Sequence, residues 1–214
     1  MTAAITDTVG RRQAGDRYSL VAIVLHWAIA ALILFNLSIG FFMEGWPPAL
    51  RRPMVGAHLS SGLTVLALTA VRVVWRLTHR PPALPQDMPV WEQVAAHAAH
   101  LALYAMMVVL PISGWCIISA HVPHPGAGVW FWGLVHLPPI SLVQHIDPDP
   151  AIMKLAHDRF VTAHAVLALI LIALLVLHLA GALKHQLFDG HAELARMGLG
   201  RTKSPHIPQT EDSK

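Results

Sequence analysis

Fifteen histidines in a chain of 214 residues are the side chains most able to do chemistry here. Imidazole titrates near neutrality and is the commonest metal ligand. Several of these histidines interrupt long apolar runs. His26 breaks "SLVAIVLHWAIAALILFNLSIGFF", His58 stands in "GAHLSSG", and His164 and His178 lie 14 residues apart in one run. On a helix that spacing keeps both rings on one face, roughly 21 Å apart along the axis. Further on the list of candidates are His97 and His100, three apart in "AHAAHLALY". For any single histidine the plain alternative is a neutral ring bonded to a neighbouring helix.

The elements that must position these rings are membrane spans. Hydrophobic residues make up 55% of the chain and charged ones 13%, too apolar a balance for an ordinary soluble domain. A spanning helix needs about 20 mostly apolar residues. Runs of that length fall at about 20–42, 55–75, 94–119 and 160–183, with Arg72 near the end of the second and Pro111 within the third. The fold class is therefore an all-α membrane protein, a bundle of four transmembrane helices. The first span is too long for a cleavable signal and is read as an anchor. Lysine and arginine set the orientation. Arg11, Arg12, Arg17, Arg72, Arg76, Arg80, Lys184, Arg196, Arg201, Lys203 and Lys214 flank one side, against Arg51, Arg52, Lys154 and Arg159 on the other. Eleven against four places both termini in the cytoplasm. The net charge of +3 reflects this topology and gives no nucleic-acid patch. Residues 1–17 form a cytoplasmic lead, 18–197 one transmembrane domain, and 198–214 a polar tail expected to be mobile. The outer segment 121–153, with Trp130, Phe131 and Trp132, is expected to lie on the bilayer as a partly helical cap. Pro111 is expected to kink the third helix.

With that topology the intramembrane histidines sort by depth. His26 and His178 lie towards the cytoplasm, His58 and His164 towards the outside, so two pairs form from three helices. Ionisable residues within spans face the bundle interior and mark function. Structural zinc usually takes four close ligands, often thiolates, and Cys116 is the only cysteine. The same count excludes disulfides and covalent haem attachment. Copper favours sulfur or tighter nitrogen clusters. A haem, with one axial imidazole on each face and an apolar slot, fits the pairs better. Gly56, Ser60, Ser61 and Gly62 beside His58 would let a macrocycle approach backbone. With both axial positions filled, electron transfer is favoured over oxygen activation. His97 and His100 are alternatives to the inner ligands, or contacts for haem propionates or a quinone. Arg72, Arg76, Lys184 and His185 form an inner rim, either as positive-inside anchors or as partners for the same groups. The loop histidines His121, His124, His136 and His145 read as surface residues, with a metal site as the weaker alternative.

These residues carry a resemblance. "LHW" at His26, "GAHLSSG", "VRVVWR", "AHAAHLALY", "LPISGW", "LHLAGALKH" and "LARM" occur in order between about Arg17 and Arg201. The chain resembles the bacterial cytochrome b561 family, related to the cytochrome b subunits of nickel-iron hydrogenases. The resemblance implies a multi-pass inner-membrane protein with two haem b groups held by iron ligands on the first, second and fourth helices. Carried onto this sequence, those ligands are His26, His58, His164 and His178. One departure is that family members commonly follow the outer ligand of the fourth helix with Glu, whereas Ala165 follows His164 here. His157, followed by Asp158, is the rival ligand. The resemblance also implies ubiquinone as substrate, and some members look like superoxide:quinone oxidoreductases. Two other functions remain open: an anchoring subunit relaying electrons from a partner enzyme such as a hydrogenase, and a histidine-lined metal transporter. The transporter would be expected to place carboxylates among the ligands within the spans, and the spans have none.

Overall fold

The computed structural model describes residues 17–79, 81–83, 88–121, 128–190 and 193–199. Arg11, Arg12, Arg80, His124, Arg201, Lys203, Lys214 and nearly all of the expected lead and tail lie outside the described residues. Four long helices dominate: α1 (Leu20–Phe42), α2 (Pro48–Thr78), α3 (Val90–Ser119) and α4 (Pro150–Leu187). All four are long and apolar enough to cross a membrane. Each contains one of the expected spans, and α2 and α4 start well before theirs.

Local sequence accounts for these boundaries. Ser19 caps α1, its hydroxyl accepting from the Ala22 N–H at 3.3 Å. Asp149 caps α4 by accepting from the Ala151 N–H at 2.8 Å, and Pro150 fills the first helical position, where a missing N–H costs nothing. Helix α3 continues through Pro111. At 38 residues, α4 is about 57 Å long, well beyond the ~30 Å hydrocarbon layer, so its ends stand in the interfaces.

Helices neighbouring in sequence pack together: α1 on α2, α2 on α3, and α3 most closely on α4. Among the described residues, the backbone of α4 approaches neither α1 nor α2 as it approaches α3. A central apolar layer joins all four helices through Ile29, Ile33, Val65, Leu103 and Leu171. Large apolar side chains such as Leu34, Leu101, Leu169 and Leu177 face outward, as lipid requires.

The outer connection is part strand. Val129–Phe131 and Val135–Leu137 form a short antiparallel hairpin, with Trp130 opposite His136. Trp132 and Gly133 turn it at φ of 49° and 70°. Ser60 of α2 holds the hairpin, accepting from the Trp132 N–H at 2.9 Å and donating to the Trp130 carbonyl at 3.4 Å. Trp132 Nε1 donates to Thr64 at 3.1 Å. One helical turn, Ser141–Gln144, follows before α4 and is the helical part of this connection among the described residues. At the opposite end, the turn Glu193–Arg196 folds back beneath α1. Trp27 Nε1 donates to the Met197 carbonyl at 2.9 Å, and the Tyr18 N–H to that of Arg196 at 3.3 Å.

Candidate functional site

The bundle brings two pairs of imidazoles from different helices together. His26 of α1 and His178 of α4 stand with ring centres 6.2 Å apart and planes at 66°. His58 of α2 and His164 of α4 stand 6.1 Å apart at 70°. Each pair bridges two helices whose backbones do not pack closely, so side chains and not backbone meet there. Leu171, seven residues from either histidine of α4, is buried in the apolar layer between the pairs. A bond from imidazole to a first-row metal is about 2.0–2.1 Å, which puts two rings on opposite sides of one ion with centres about 6 Å apart. Both pairs have that spacing.

The outer pair shows what else a large planar group needs. A Cβ on Gly40 of α1 would lie 3.4 Å from His58 Cε1, and one on Gly114 of α3 would lie 3.5 Å from His164 Cε1. Glycine at each place leaves the flank of the imidazole bare. His164 donates from Nδ1 to the Ser113 hydroxyl at 2.8 Å, and that hydroxyl donates on to the Leu110 carbonyl at 2.8 Å. This relay fixes the tautomer with the proton on Nδ1 and leaves Nε2 as the lone-pair nitrogen, the arrangement in which a histidine binds a metal while its other ring nitrogen is held by the protein. His58 Nδ1 is buried without a hydrogen bond of good geometry, although the Asn36 backbone is at hand as acceptor.

The remaining candidates separate. His100 of α3 joins the inner pair, its ring 5.3 Å from that of His178 and its Nδ1 on the Ala96 carbonyl at 2.8 Å. His97 is exposed, with Nδ1 on the Gln93 carbonyl at 2.6 Å. Arg72 Nε donates to the Tyr104 hydroxyl at 3.0 Å, and Arg76 is exposed. His157 packs edge-on against His121 with ring centres 4.5 Å apart, beside the half-exposed Asp158. It therefore stands with surface groups, apart from the His58–His164 pair.

Lys184 and His185 are engaged elsewhere. Lys184 pairs with Glu92 at 2.6 Å and with Asp189 at 2.9 Å, and His185 pairs with Asp189 at 2.6 Å. The Lys184 ammonium, and then His185, hold the Asp189 carboxyl below the usual carboxylate range. Sequence reasoning did not single out Glu92, Asp189, Ser113, Tyr104 or the two glycines. Ser113 and Gly114 were legible as small residues of "LPISGW" at the depth of His164. Glu92 left only the weak signal of an acidic residue in a helix's first turn.

Four apolar spans presenting paired histidines at both ends define a membrane cytochrome b of the helix-bundle type. The sequence matches the family described as prokaryotic cytochrome b561 over residues 17–200. This chain belongs to that family, and its place is the bacterial inner membrane, where it carries b-type haem and transfers electrons. It is 30% identical over 200 residues to cytochrome b561 homolog 2 of Escherichia coli, a match covering 89% of this chain and 95% of that protein. It is also 30% identical to cytochrome b562 of Cereibacter sphaeroides over 66% of this chain and 96% of that one. A third relative, named a probable superoxide oxidase in Yersinia pestis, is 30% identical over 48% of this chain and 58% of its own length.

Proposed function

We propose that the chain holds two haem b groups, one between His26 and His178 and one between His58 and His164, and moves electrons between them across the membrane. The observation that carries this reading is the pair of neighbouring imidazoles at each end of the bundle, at 6.2 and 6.1 Å. Bound haem would supply one-electron iron chemistry, with an imidazole of each pair as its ligand. The protein's own part is to hold the rings, exclude water through the layer around Leu171, and space the two sites. Fourteen residues of α4 set that spacing at about 21 Å along the axis.

Residues 18–197 act as one transmembrane unit with both termini in the cytoplasm. His26 and His178 then form the inner site. Around it, His100 and Arg72 are the groups best placed for haem propionates or the oxygens of ubiquinone, with His97 and Arg76 further out. Lys184 and His185 already have carboxylate partners. Reduction of quinone to quinol consumes two electrons and two protons, so two one-electron transfers through the sites complete one turnover.

Superoxide is the proposed electron donor at the outer site, each anion losing one electron to become dioxygen. The relative named a probable superoxide oxidase supports this choice. Arg51, Arg52 and Arg159 would steer an anion there. Lys154 contributes less, since Asp158 pairs with it at 2.6 Å. Rapid mixing of oxidised protein with superoxide, following haem absorbance, tests the proposal. Reduction far faster than in a His58→Ala control is expected. Equal rates would overturn superoxide as donor, and co-purification of a large outer-face redox subunit would favour the partner-relay reading.

A further inference from the structure

At the inner rim, beyond both histidine pairs, α3 and α4 close on a cluster of Glu92, Lys184, His185 and Asp189. His185 lies seven residues past His178, roughly 10 Å further along the helix. Glu92, His185 and Asp189 each offer one ligand atom, and these atoms lie within 4.8 Å of one another. The cluster is more than a surface ion pair in one respect. Glu92 is 8% exposed, and its Oε2 is buried without a hydrogen-bond partner, while Oε1 is bonded to Lys184. That free oxygen points to the side of the cluster where His185 Nδ1 stands 3.7 Å away. A buried carboxylate oxygen left unpaired is unfavourable, and a cation would relieve it.

The geometry points to a divalent first-row transition cation, for which Zn²⁺ is the natural probe, bound by Glu92, His185 and Asp189. Two carboxylates and an imidazole are a borderline oxygen and nitrogen donor set of the kind zinc accepts, with water completing four-coordination. Lys184 is the resident cation of this site. Its ammonium bridges Glu92 Oε1 at 2.6 Å and Asp189 Oδ2 at 2.9 Å, so metal binding must displace it. It can leave, because its side chain is 42% exposed and flexible. Ligands on a four-coordinate ion with bonds of about 2.0–2.1 Å stand about 3.3 Å apart. Glu92 Oε2 and His185 Nδ1, at 3.7 Å, are already close to that spacing, whereas Asp189 Oδ2, 2.6 Å from His185, must swing away from the ring to share an ion with it. Asp189 is the one that moves: it follows the helix's C-cap Phe188 and precedes Gly190, which turns the chain at φ 72°. Lysine and metal thus compete for one anionic pocket. Occupancy would release an ammonium group at the inner rim.

The test uses tag-free, haem-loaded protein in detergent, titrated with Zn²⁺ by calorimetry and with Co²⁺ by visible absorption. Wild type should bind one more equivalent than Glu92→Gln, and Asp189→Asn should lose the same equivalent. Lys184→Met should bind that equivalent at least ten-fold more tightly, since the competing cation is gone. Unchanged haem spectra report that each variant is folded. If Glu92→Gln loses haem, Asp189→Asn on the exposed rim decides the matter alone. Identical isotherms in wild type and Asp189→Asn would overturn the site. An affinity unchanged in Lys184→Met would overturn the competition.

Discussion

At the scale of single residues, an imidazole inside a span has a commonplace explanation until its partner is known. His26 alone could be a hydrogen-bonded ring; with its ring 6.2 Å from that of His178, it becomes half of a pair that the proposed function assigns to one haem. On that reading, removing one ligand should empty one site and spare the other. His26→Ala protein is expected to keep about half of the haem per polypeptide, measured as the pyridine haemochrome, with a single remaining transition in a redox titration. Loss of both haems, or of neither, would contradict the pairing. Gly114 makes a complementary case at the outer pair. A Cβ there meets His164 Cε1 at 3.5 Å, ordinary contact, so Gly114→Ala should be tolerated. The branched carbons of Gly114→Val reach further into the ring and should cost the outer haem while the inner one remains. The pairing of His26 with His178 and of His58 with His164 was legible in the sequence because span order and helix rise fix which rings lie at the same end of the bundle. The glycines were not, since a bare helix flank has no pattern of its own; it acquires meaning only when another helix is known to pass there.

At the scale of elements, the four spans were legible from apolar run length, because lipid requires every backbone group to be satisfied within its own segment. Their ends were less so. Helix α2 runs back to Pro48 and α4 to Pro150, in each case from a proline at the first helical position, through residues whose polarity hid the continuation. The outer connection was the least legible. Its aromatic residues suggested an interfacial cap, but the hairpin depends on Trp132 holding φ 49° and on Ser60, 72 residues earlier, accepting from its N–H. Ser60 is 1% exposed and serves both sides of that turn. Ser60→Ala should leave the Trp132 N–H unpaired, at a local cost of about 1–3 kcal/mol. Hydrogen exchange in the segment 129–137 should accelerate by roughly five-fold or more, since about 1.4 kcal/mol is a factor of ten in an opening equilibrium. Exchange no faster than in wild type would mean that the hairpin is held by its own strand pairing and by Thr64.

At the scale of the whole molecule, the two sites share α4 and are separated by a layer of Ile29, Ile33, Val65, Leu103 and Leu171. Among the described residues no ionisable group belongs to that layer, so on the proposed reading charge would cross it as electrons and leave protons at the side where quinone is reduced. Such a wire has a property that neither site has alone: each end can be charged separately, but turnover needs both. His26→Ala protein, with only the outer haem, should still be reduced by superoxide within the mixing experiment, to about one electron per polypeptide, and then stop. Quinol should form at no more than a few per cent of the wild-type rate. His58→Ala protein should show the reverse, with its inner haem reduced by added quinol and indifferent to superoxide. Wild-type turnover in either variant would mean that donor and acceptor meet at one end of the bundle. The apolar layer would then serve packing alone, and the paired depth of the histidines would have no role in electron flow.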